Sequence, residues 1–212
     1  MRIGVIGSGH IGATVAHLLV CAGHEVAIAN SRGPESLAEL VADLGETASA
    51  ATVEQAATFG GVVLVAIPLH AYDGLPASAF DGTVVIDANN YYPGRDGQIE
   101  ALDDERTTSS ELLAAHLRGA RVVKAFNTMY YETLAREGMP DGPRRHRLAL
   151  FVAGDDDDAK QLVSTLIEEL GFAAIDSGSL ADGAYQQPGS PIYNSEMDAA
   201  KAERTLAALR AG

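Results

Sequence analysis

The chain has 212 residues, of which 47% are hydrophobic and 21% charged, and its net charge of −14 arises from 15 basic and 29 acidic residues. This composition excludes a disordered chain, and the acidic surface is expected to repel nucleic acids and anionic membranes. The single cysteine, Cys21, excludes an internal disulfide and is predicted to be a small apolar core residue. Since the N-terminal residues lack a signal-peptide pattern and no apolar run approaches the roughly 20 residues that span a membrane, we expect a cytoplasmic protein.

Short apolar runs alternate with helical patterns from the first residues to about residue 180. The predicted strands are 2–7, 25–30, 47–51, 61–68, 82–90, 120–128, 147–155 and 172–178. The predicted helices include 14–24, 34–45, 107–119 and 156–171, of which the third is capped by Ser109 or Ser110 and the fourth by Asp155.

Continuous apolar strands that are separated by helices predict a sheet buried on both faces. The predicted fold class is α/β, with a doubly wound, mostly parallel sheet of about eight strands, and its domain spans residues 1–180. Six strands would complete the standard order, and the last two would extend one edge. Residues 181–212 lose the strand pattern and are interpreted as a small C-terminal helical appendage.

The first predicted strand ends in a glycine-rich turn that consists of Gly7, Ser8, Gly9, His10, Ile11 and Gly12. Gly7 would permit the tight turn, Gly9 the close approach of a pyrophosphate, and Gly12 the close packing of helix on strand. The following helix would direct its unpaired N–H groups at the pyrophosphate. Because the motif lies between a strand and a helix, it predicts a Rossmann-type dinucleotide site.

The second predicted strand ends in Asn30, Ser31 and Arg32, where NAD-binding chains carry an acidic residue that holds the ribose hydroxyls. A carboxylate there would also repel a 2′-phosphate, whereas a serine hydroxyl and a guanidinium can bind one. The three residues therefore predict NADP(H) in preference to NAD(H). The alternative is a solvated turn in which Arg32 is incidental.

Ligands of doubly wound sheets bind beyond the carboxyl ends of the strands. The residues predicted to border the cofactor there are Ala66, Ile67 and Pro68 after the fourth strand, Asn89 after the fifth, and Ala125 and Asn127 after the sixth. Asn89 and Asn127 could hold the nicotinamide carboxamide or a ribose. The alternative is that both are turn residues that bond their own backbone.

Three side chains near these strand ends are candidates for catalysis. His10 and His70 could contact the pyrophosphate or a second substrate, or could donate a proton, because histidine titrates near neutrality. Asn127 is the third candidate. None of them lies in a spacing that identifies a catalytic group.

Four stretches in chain order, GSGHIG (7–12), NSRGPES (30–36), VVKAFNT (122–128) and AGDDDDAK (153–160), resemble the NADP oxidoreductases that depend on the deazaflavin coenzyme F420. This resemblance covers roughly residues 1–180. It implies hydride transfer between C4 of the nicotinamide and C5 of the deazaflavin, in a cleft where the protein positions the two and excludes water. The resemblance also implies that the substrates are small molecules. It further implies that residues 181–212 close the cleft or form the contact of a homodimer.

Three charged features have a structural and a functional interpretation. Lys124 lies in an apolar strand and needs a partner, for which Asp87 on the neighbouring strand is the candidate, most simply as a structural ion pair. The acidic run 155–158 is predicted to favour a helix N-terminus rather than to bind a metal. The basic run 144–147 is interpreted as a solvated loop, or else as a contact for the phosphate and acidic tail of the deazaflavin.

Two other functions stay open from the sequence. The chain could reduce a flavin or another small acceptor with NADPH, since the resembled family includes such reductases, or it could be an NADP(H)-binding sensor without turnover. A cavity lined by Tyr91, Tyr130, Tyr185 or Tyr193 would favour a planar second cofactor. A filled cleft would favour the sensor.

Overall fold

An eight-stranded sheet in the order β3-β2-β1-β4-β5-β6-β7-β8 organises the computed structural model. Residues 1–211 are described, and Gly212, the last residue of the predicted appendage, lies outside the described residues. The strands are β1 (Arg2–Ile6), β2 (Glu25–Ala29), β3 (Ala48–Ala50), β4 (Val62–Val65), β5 (Val84–Asp87), β6 (Arg121–Lys124), β7 (Ala149–Gly154) and β8 (Ala173–Gly178).

Helices connect the strands and cover both faces of the sheet. The α-helices are α1 (His10–Cys21), α2 (Ala38–Leu44), α3 (Val53–Ala57), α4 (Pro93–Asp96), α5 (Glu100–Asp103), α6 (Ser109–His116), α7 (Tyr131–Arg136), α8 (Asp157–Glu169) and α9 (Ala199–Ala211). Short 3-10 helices lie at Pro34–Leu37, Leu69–Gly74, Ala77–Phe80, Arg144–His146 and Ala181–Gln186.

The sheet confirms the predicted α/β fold class. Its first six strands follow the doubly wound order, and β7 and β8 extend one edge. Neighbouring strands are parallel except for β6 and β7, which pair in antiparallel fashion. The carboxyl ends of β1 to β6 therefore meet along one edge of the sheet.

The central strands are shorter than predicted at this edge. β4 ends at Val65 rather than residue 68, β5 at Asp87 rather than 90, and β6 at Lys124 rather than 128. Phe126 has a φ of 64°, in the left-handed region, which ends the extended backbone after β6. The residues lost from the strands form loops above the sheet.

Two predicted helix caps and one predicted core residue are wrong. Thr108 caps α6 in a capping box with Glu111, and Asp156 caps α8 by accepting the N–H of Ala159 at 2.7 Å. The residues predicted as caps have other partners: Asp155 accepts the N–H of Leu180, and Ser109 and Ser110 are buried within the first turn of α6. Cys21 is exposed at the end of α1, because this position of the helix faces away from the sheet.

Apolar side chains fill the space between the sheet and its helices on both faces. A third apolar cluster joins α9 to β7 and β8, where Ala202 and Leu206 pack near Phe151 and Ile175. The C-terminal helix is thus attached to its own sheet. Within residues 1–211, no helix has the length and apolar character that crossing a membrane requires.

Candidate active site

The glycine turn after β1 places two glycines in contact with backbone and leaves one open. Gly7 has a φ of 116°, and a Cβ on it would lie 2.1 Å from the carbonyl oxygen of Ala66. A Cβ on Gly12 would lie 1.9 Å from the carbonyl oxygen of Gly7. A Cβ on Gly9 would meet no atom within 4 Å. The first two glycines are therefore required by the fold, whereas Gly9 borders free space.

The N-terminus of α1 faces this free space. Gly9 is its N-cap without a side-chain cap, and its first turn carries no acidic residue. The leading N–H groups of a helix have no partner within the helix, and the helix dipole favours an anion beside them. The turn thus forms a local positive site on an acidic protein.

Asn30 ties the glycine turn to the loop after β2. Its Nδ2 donates to Ser8 Oγ at 3.1 Å and to Ser36 Oγ at 3.0 Å, and its Oδ1 accepts the N–H of Arg32 at 2.8 Å. These bonds hold the loop that carries Ser31 and Arg32. Both residues are exposed, and no ion pair or side-chain hydrogen bond in residues 1–211 engages the Arg32 guanidinium.

Two cavities follow the carboxyl edge of the sheet. The first measures about 370 Å³ and is lined by the glycine turn, Asn30 to Arg32, and the loop after β4. The second measures about 410 Å³ and shares Gly9, Ala66, Ile67 and Pro68 with the first. Together they form one cleft that begins at Arg32 and passes the N-terminus of α1.

Aromatic side chains surround the second cavity. Its tyrosines are Tyr92, Tyr130, Tyr131 and Tyr193. The hydroxyl groups of Tyr92 and Tyr193 are in hydrogen-bond contact, which joins the C-terminal segment to the loop after β5. The His10 ring stacks on Tyr131 with centroids 4.2 Å apart. This cavity is open and suits a flat ligand.

Two asparagines that line the second cavity each hold a buried side-chain atom without a partner in the described residues. Asn89 Oδ1 accepts the N–H of Ile67 at 2.9 Å, and Asn127 Nδ2 donates to the carbonyl oxygen of Gln186 at 2.8 Å. Asn89 Nδ2 and Asn127 Oδ1 are buried and have no partner in residues 1–211. The side chains therefore bridge separate loops, unlike turn residues that bond their own backbone. They leave one donor and one acceptor for a ligand.

Some residues singled out in the sequence lie elsewhere. Ala125 is buried and lines neither cavity, and His70 also lies outside both linings, where its Nδ1 is 3.0 Å from Asp96 Oδ1. Tyr91 turns away from the cleft because its hydroxyl bonds Asp103 and accepts the N–H of Ile99. Tyr185 packs beside the apolar cluster under α9.

The sequence reasoning missed Tyr92 and Tyr131 as cavity residues. Each adjoins a tyrosine that it did select, so the pairs 91–92 and 130–131 were visible signals. Only the folded loops decide that one ring of the first pair, Tyr92, and both rings of the second line the cavity.

The predicted ion pair between Lys124 and Asp87 is confirmed. Both side chains are fully buried, and Lys124 Nζ lies 3.7 Å from Asp87 Oδ2. In the basic run 144–147, which the sequence predicts to be solvated, Arg144, Arg145 and His146 are exposed and Arg147 is half-buried. Arg144 and Arg147 both form ion pairs with Glu168 of α8. In residues 1–211, no group of three or more His, Cys, Asp or Glu side chains is arranged to hold a metal ion.

Asp96 holds the Tyr92 wall of the cavity in place. Burial opposes its ionisation, but hydrogen bonds from Arg95, the Tyr92 N–H and His70 outweigh burial and hold the pKa of the Asp96 carboxyl well below its usual range. A carboxylate with a lowered pKa stabilises the fold above its ordinary pKa near 4, and the effect is lost as the pH falls towards the folded value.

Asp96→Asn is expected to lower the free energy of unfolding at pH 7 by about 1–2 kcal/mol, a modest value because Arg95 and His70 are half-exposed. Urea unfolding at pH 7 and at successive pH values below 4 checks this. The difference from the wild type should shrink with acid, and a difference independent of pH would contradict the assignment.

Comparison with known proteins finds relatives of the part of the chain that carries this site. A family model described as NADP oxidoreductase coenzyme F420-dependent matches residues 2–91, which contain the glycine turn and Arg32. A hypothetical protein of Sinorhizobium meliloti is 32% identical, with a TM-score of 0.80 over 93% of this chain and 95% of that one. The N-terminal part of the chain thus resembles the NADP oxidoreductase, coenzyme F420-dependent, family.

Other relatives of the chain carry named activities. A structure from Arthrobacter sp. FB24, assigned provisionally as an F420-dependent NADP reductase, is 26% identical, with a TM-score of 0.74 over 93% of this chain and 99% of that one. The metalloreductase STEAP3 of Rattus norvegicus is 30% identical over 182 residues, or 85% of this chain. The present chain spans only 34% of the length of that metalloreductase.

Proposed function

We propose that this oxidoreductase transfers a hydride between C4 of the NADP nicotinamide and C5 of the deazaflavin coenzyme F420. One observation carries the proposal: a single cleft has a free guanidinium at one end, a helix N-terminus in the middle and four tyrosines at the other end. The family and the Arthrobacter relative support the choice of deazaflavin.

The residues present fit NADP(H) along this cleft. Arg32 and Ser31 would hold the 2′-phosphate, and the N–H groups of α1 would hold the pyrophosphate. The unpaired Asn89 Nδ2 is a donor and the unpaired Asn127 Oδ1 an acceptor, which complement the carbonyl and amino groups of a carboxamide. The cofactor assignment therefore rests on groups that otherwise lack partners.

Nicotinamide, when bound, supplies or accepts the hydride. The protein's own task is to hold two flat rings together and exclude water, for which the tyrosine-lined cavity is suited. A hydride carries two electrons and one proton, so reduction of the deazaflavin by NADPH takes up one further proton. His10 is the histidine candidate that lines this cavity.

The C-terminal segment contributes to the cleft in this proposal. Tyr193 and Asn194 line the second cavity, and Asn127 is held by the carbonyl oxygen of Gln186. We infer that residues 1–180 bind NADP(H) and that the segment from residue 181 closes the cleft over small-molecule substrates. The proposal includes a homodimer, on the strength of the family resemblance. It also places the protein in the cytoplasm without nucleic-acid or membrane partners, which the net charge of −14 disfavours.

Reduction of a flavin or another small acceptor is the second candidate. The 30% identity to a metalloreductase over most of the chain favours it, because a reductase of that kind passes electrons to an acceptor other than F420. The open cavity of about 410 Å³ counts against the sensor, for which a filled cleft was expected.

NADPH oxidation followed at 340 nm separates these candidates. Oxidised deazaflavin is expected to give rapid turnover, and free flavin under the same conditions little. Rapid turnover with flavin alone would establish the second candidate instead. Tight NADPH binding without turnover by either acceptor would contradict both deazaflavin and flavin as acceptors, and would leave another small acceptor or the sensor.

The substitution Tyr130→Ala tests whether the acceptor binds in the tyrosine-lined cavity. Tyr130 is 52% exposed, so its truncation should spare the fold while removing a stacking surface. We expect the KM for the acceptor to rise roughly threefold to tenfold, with NADPH binding unchanged. Met139→Ala, which removes another exposed apolar side chain outside the cavity lining, is the matched control.

A further inference from the structure

A fully buried ion pair lies directly beneath the second cavity. Asp87 and Lys124 are the last residues of β5 and β6 and stand opposite each other in the parallel pairing. Both side chains have no exposure, and Lys124 Nζ is 3.7 Å from Asp87 Oδ2, beyond hydrogen-bond distance. Burying two charges is costly, and an apolar pair of similar size would often be at least as stable. The contacts of the two charges indicate what the pair does.

Each charge makes one hydrogen bond to the backbone of Asn89, and Lys124 Nζ also donates to Ser109 Oγ at 3.3 Å. Lys124 Nζ donates to the carbonyl oxygen of Asn89 at 3.1 Å, and Asp87 Oδ1 accepts the N–H of Asn89 at 2.9 Å. Ser110 links the pair, because its hydroxyl donates to Asp87 Oδ2 at 2.5 Å and lies 3.1 Å from Lys124 Nζ. Both backbone polar groups of Asn89, its carbonyl oxygen and its N–H, are thus fixed by hydrogen bonds to the ion pair.

The Asn89 side chain is fixed as well. Its Oδ1 accepts the N–H of Ile67, which leaves the buried Nδ2 as its only polar atom without a partner in the described residues. A backbone N–H must face an oxygen, so the amide cannot turn over without losing this bond. Asn89, which lines the second cavity, therefore holds one buried, unpaired donor in a fixed orientation.

The C-terminal segment covers part of the buried Lys124 side chain. Gly183 lies against the Lys124 side chain, since a Cβ on it would come within 3.0 Å of Lys124 Cδ. Burial lowers the pKa of Lys124, and the Asp87 carboxylate opposes this. The absence of water strengthens each hydrogen bond that the two charges make.

We propose that Lys124 and Asp87 are positioning residues, which act through the backbone of Asn89 to aim its Nδ2 at the carboxamide of the nicotinamide. This inference rests on the proposed NADP(H) site. Neither charge would touch the cofactor. Loss of Lys124 should therefore weaken the nicotinamide half of the interaction and spare the adenosine half, which lies at Arg32.

The test compares the dissociation constants of NADPH and of 2′,5′-ADP, which carries the 2′-phosphate and lacks the nicotinamide. Lys124→Met and Asn89→Ala should each weaken NADPH binding about tenfold and leave 2′,5′-ADP binding unchanged. The double variant should bind NADPH no more weakly than Asn89→Ala, because Lys124 acts through Asn89. Arg147→Met, which breaks a contact to Glu168 away from the cleft, should change neither constant.

Two results would overturn the positioning role. The first is a loss of NADPH affinity in the double variant that equals the product of the two single losses. The second is an equal loss of affinity for NADPH and for 2′,5′-ADP. If Lys124→Met does not fold, Ser110→Ala is expected to show the same selective loss at about threefold, and an unchanged NADPH constant there would also refute the role. A wild type that fails to bind NADPH refutes the proposed function itself. The two failures are therefore distinguishable without any measurement of turnover.

Discussion

Gly9→Val is expected to weaken NADPH binding more than about a hundredfold while shifting the midpoint of thermal unfolding by less than about 2 °C. A side chain on Gly9 meets no protein atom within 4 Å, so the fold can accept it. The same side chain would occupy the space in which the pyrophosphate must approach the N–H groups of α1. Fluorescence titration with NADPH and thermal unfolding by circular dichroism measure the two quantities.

Gly12→Val is the matched comparison, because it adds the same side chain three residues along the same turn. Its Cβ would lie 1.9 Å from the carbonyl oxygen of Gly7, so helix and strand must separate. We expect the unfolding midpoint to fall by roughly 6–12 °C, together with loss of NADPH binding. Full NADPH affinity in Gly9→Val would show that the pyrophosphate binds elsewhere.

Arg32→Ala is expected to weaken NADPH binding roughly 10- to 150-fold and to leave NADH binding nearly unchanged. The range corresponds to a charged hydrogen bond of about 1.5–3 kcal/mol. Because Arg32 is exposed and makes no ion pair in residues 1–211, its removal costs the fold little. Titration of each nucleotide at low and moderate salt measures the effect, which should be larger at low salt.

Arg118→Ala controls for the loss of one positive charge from a protein whose net charge is −14. Arg118 is exposed just beyond α6 and lies outside both linings of the cleft, so neither nucleotide should respond. Equal losses of NADPH and NADH in Arg32→Ala would contradict the assignment of Arg32 to the 2′-phosphate.

Local chain chemistry was sufficient to predict the sheet, the glycine turn and the loop that carries Arg32. Each of these features depends on apolar runs and glycines that lie within a few residues of one another in the sequence. The strand order follows from the alternation of strands and helices. The predicted pairing of Lys124 with Asp87 was also accessible, because a buried charge needs a partner and the order places β5 beside β6.

The chain by itself thus determined the fold class and the position of the cleft, and it predicts a preference for a 2′-phosphate, since each depends on short-range patterns. The tertiary structure alone decided which side chains face the cleft. Tyr91 is drawn away by Ile99 and Asp103, whereas Tyr92 remains at the cavity. Likewise, Asn89 and Asn127 keep unpaired atoms because Ile67 and Gln186, which are distant in sequence, occupy their other groups. Such choices depend on contacts between separate loops, which no local pattern encodes.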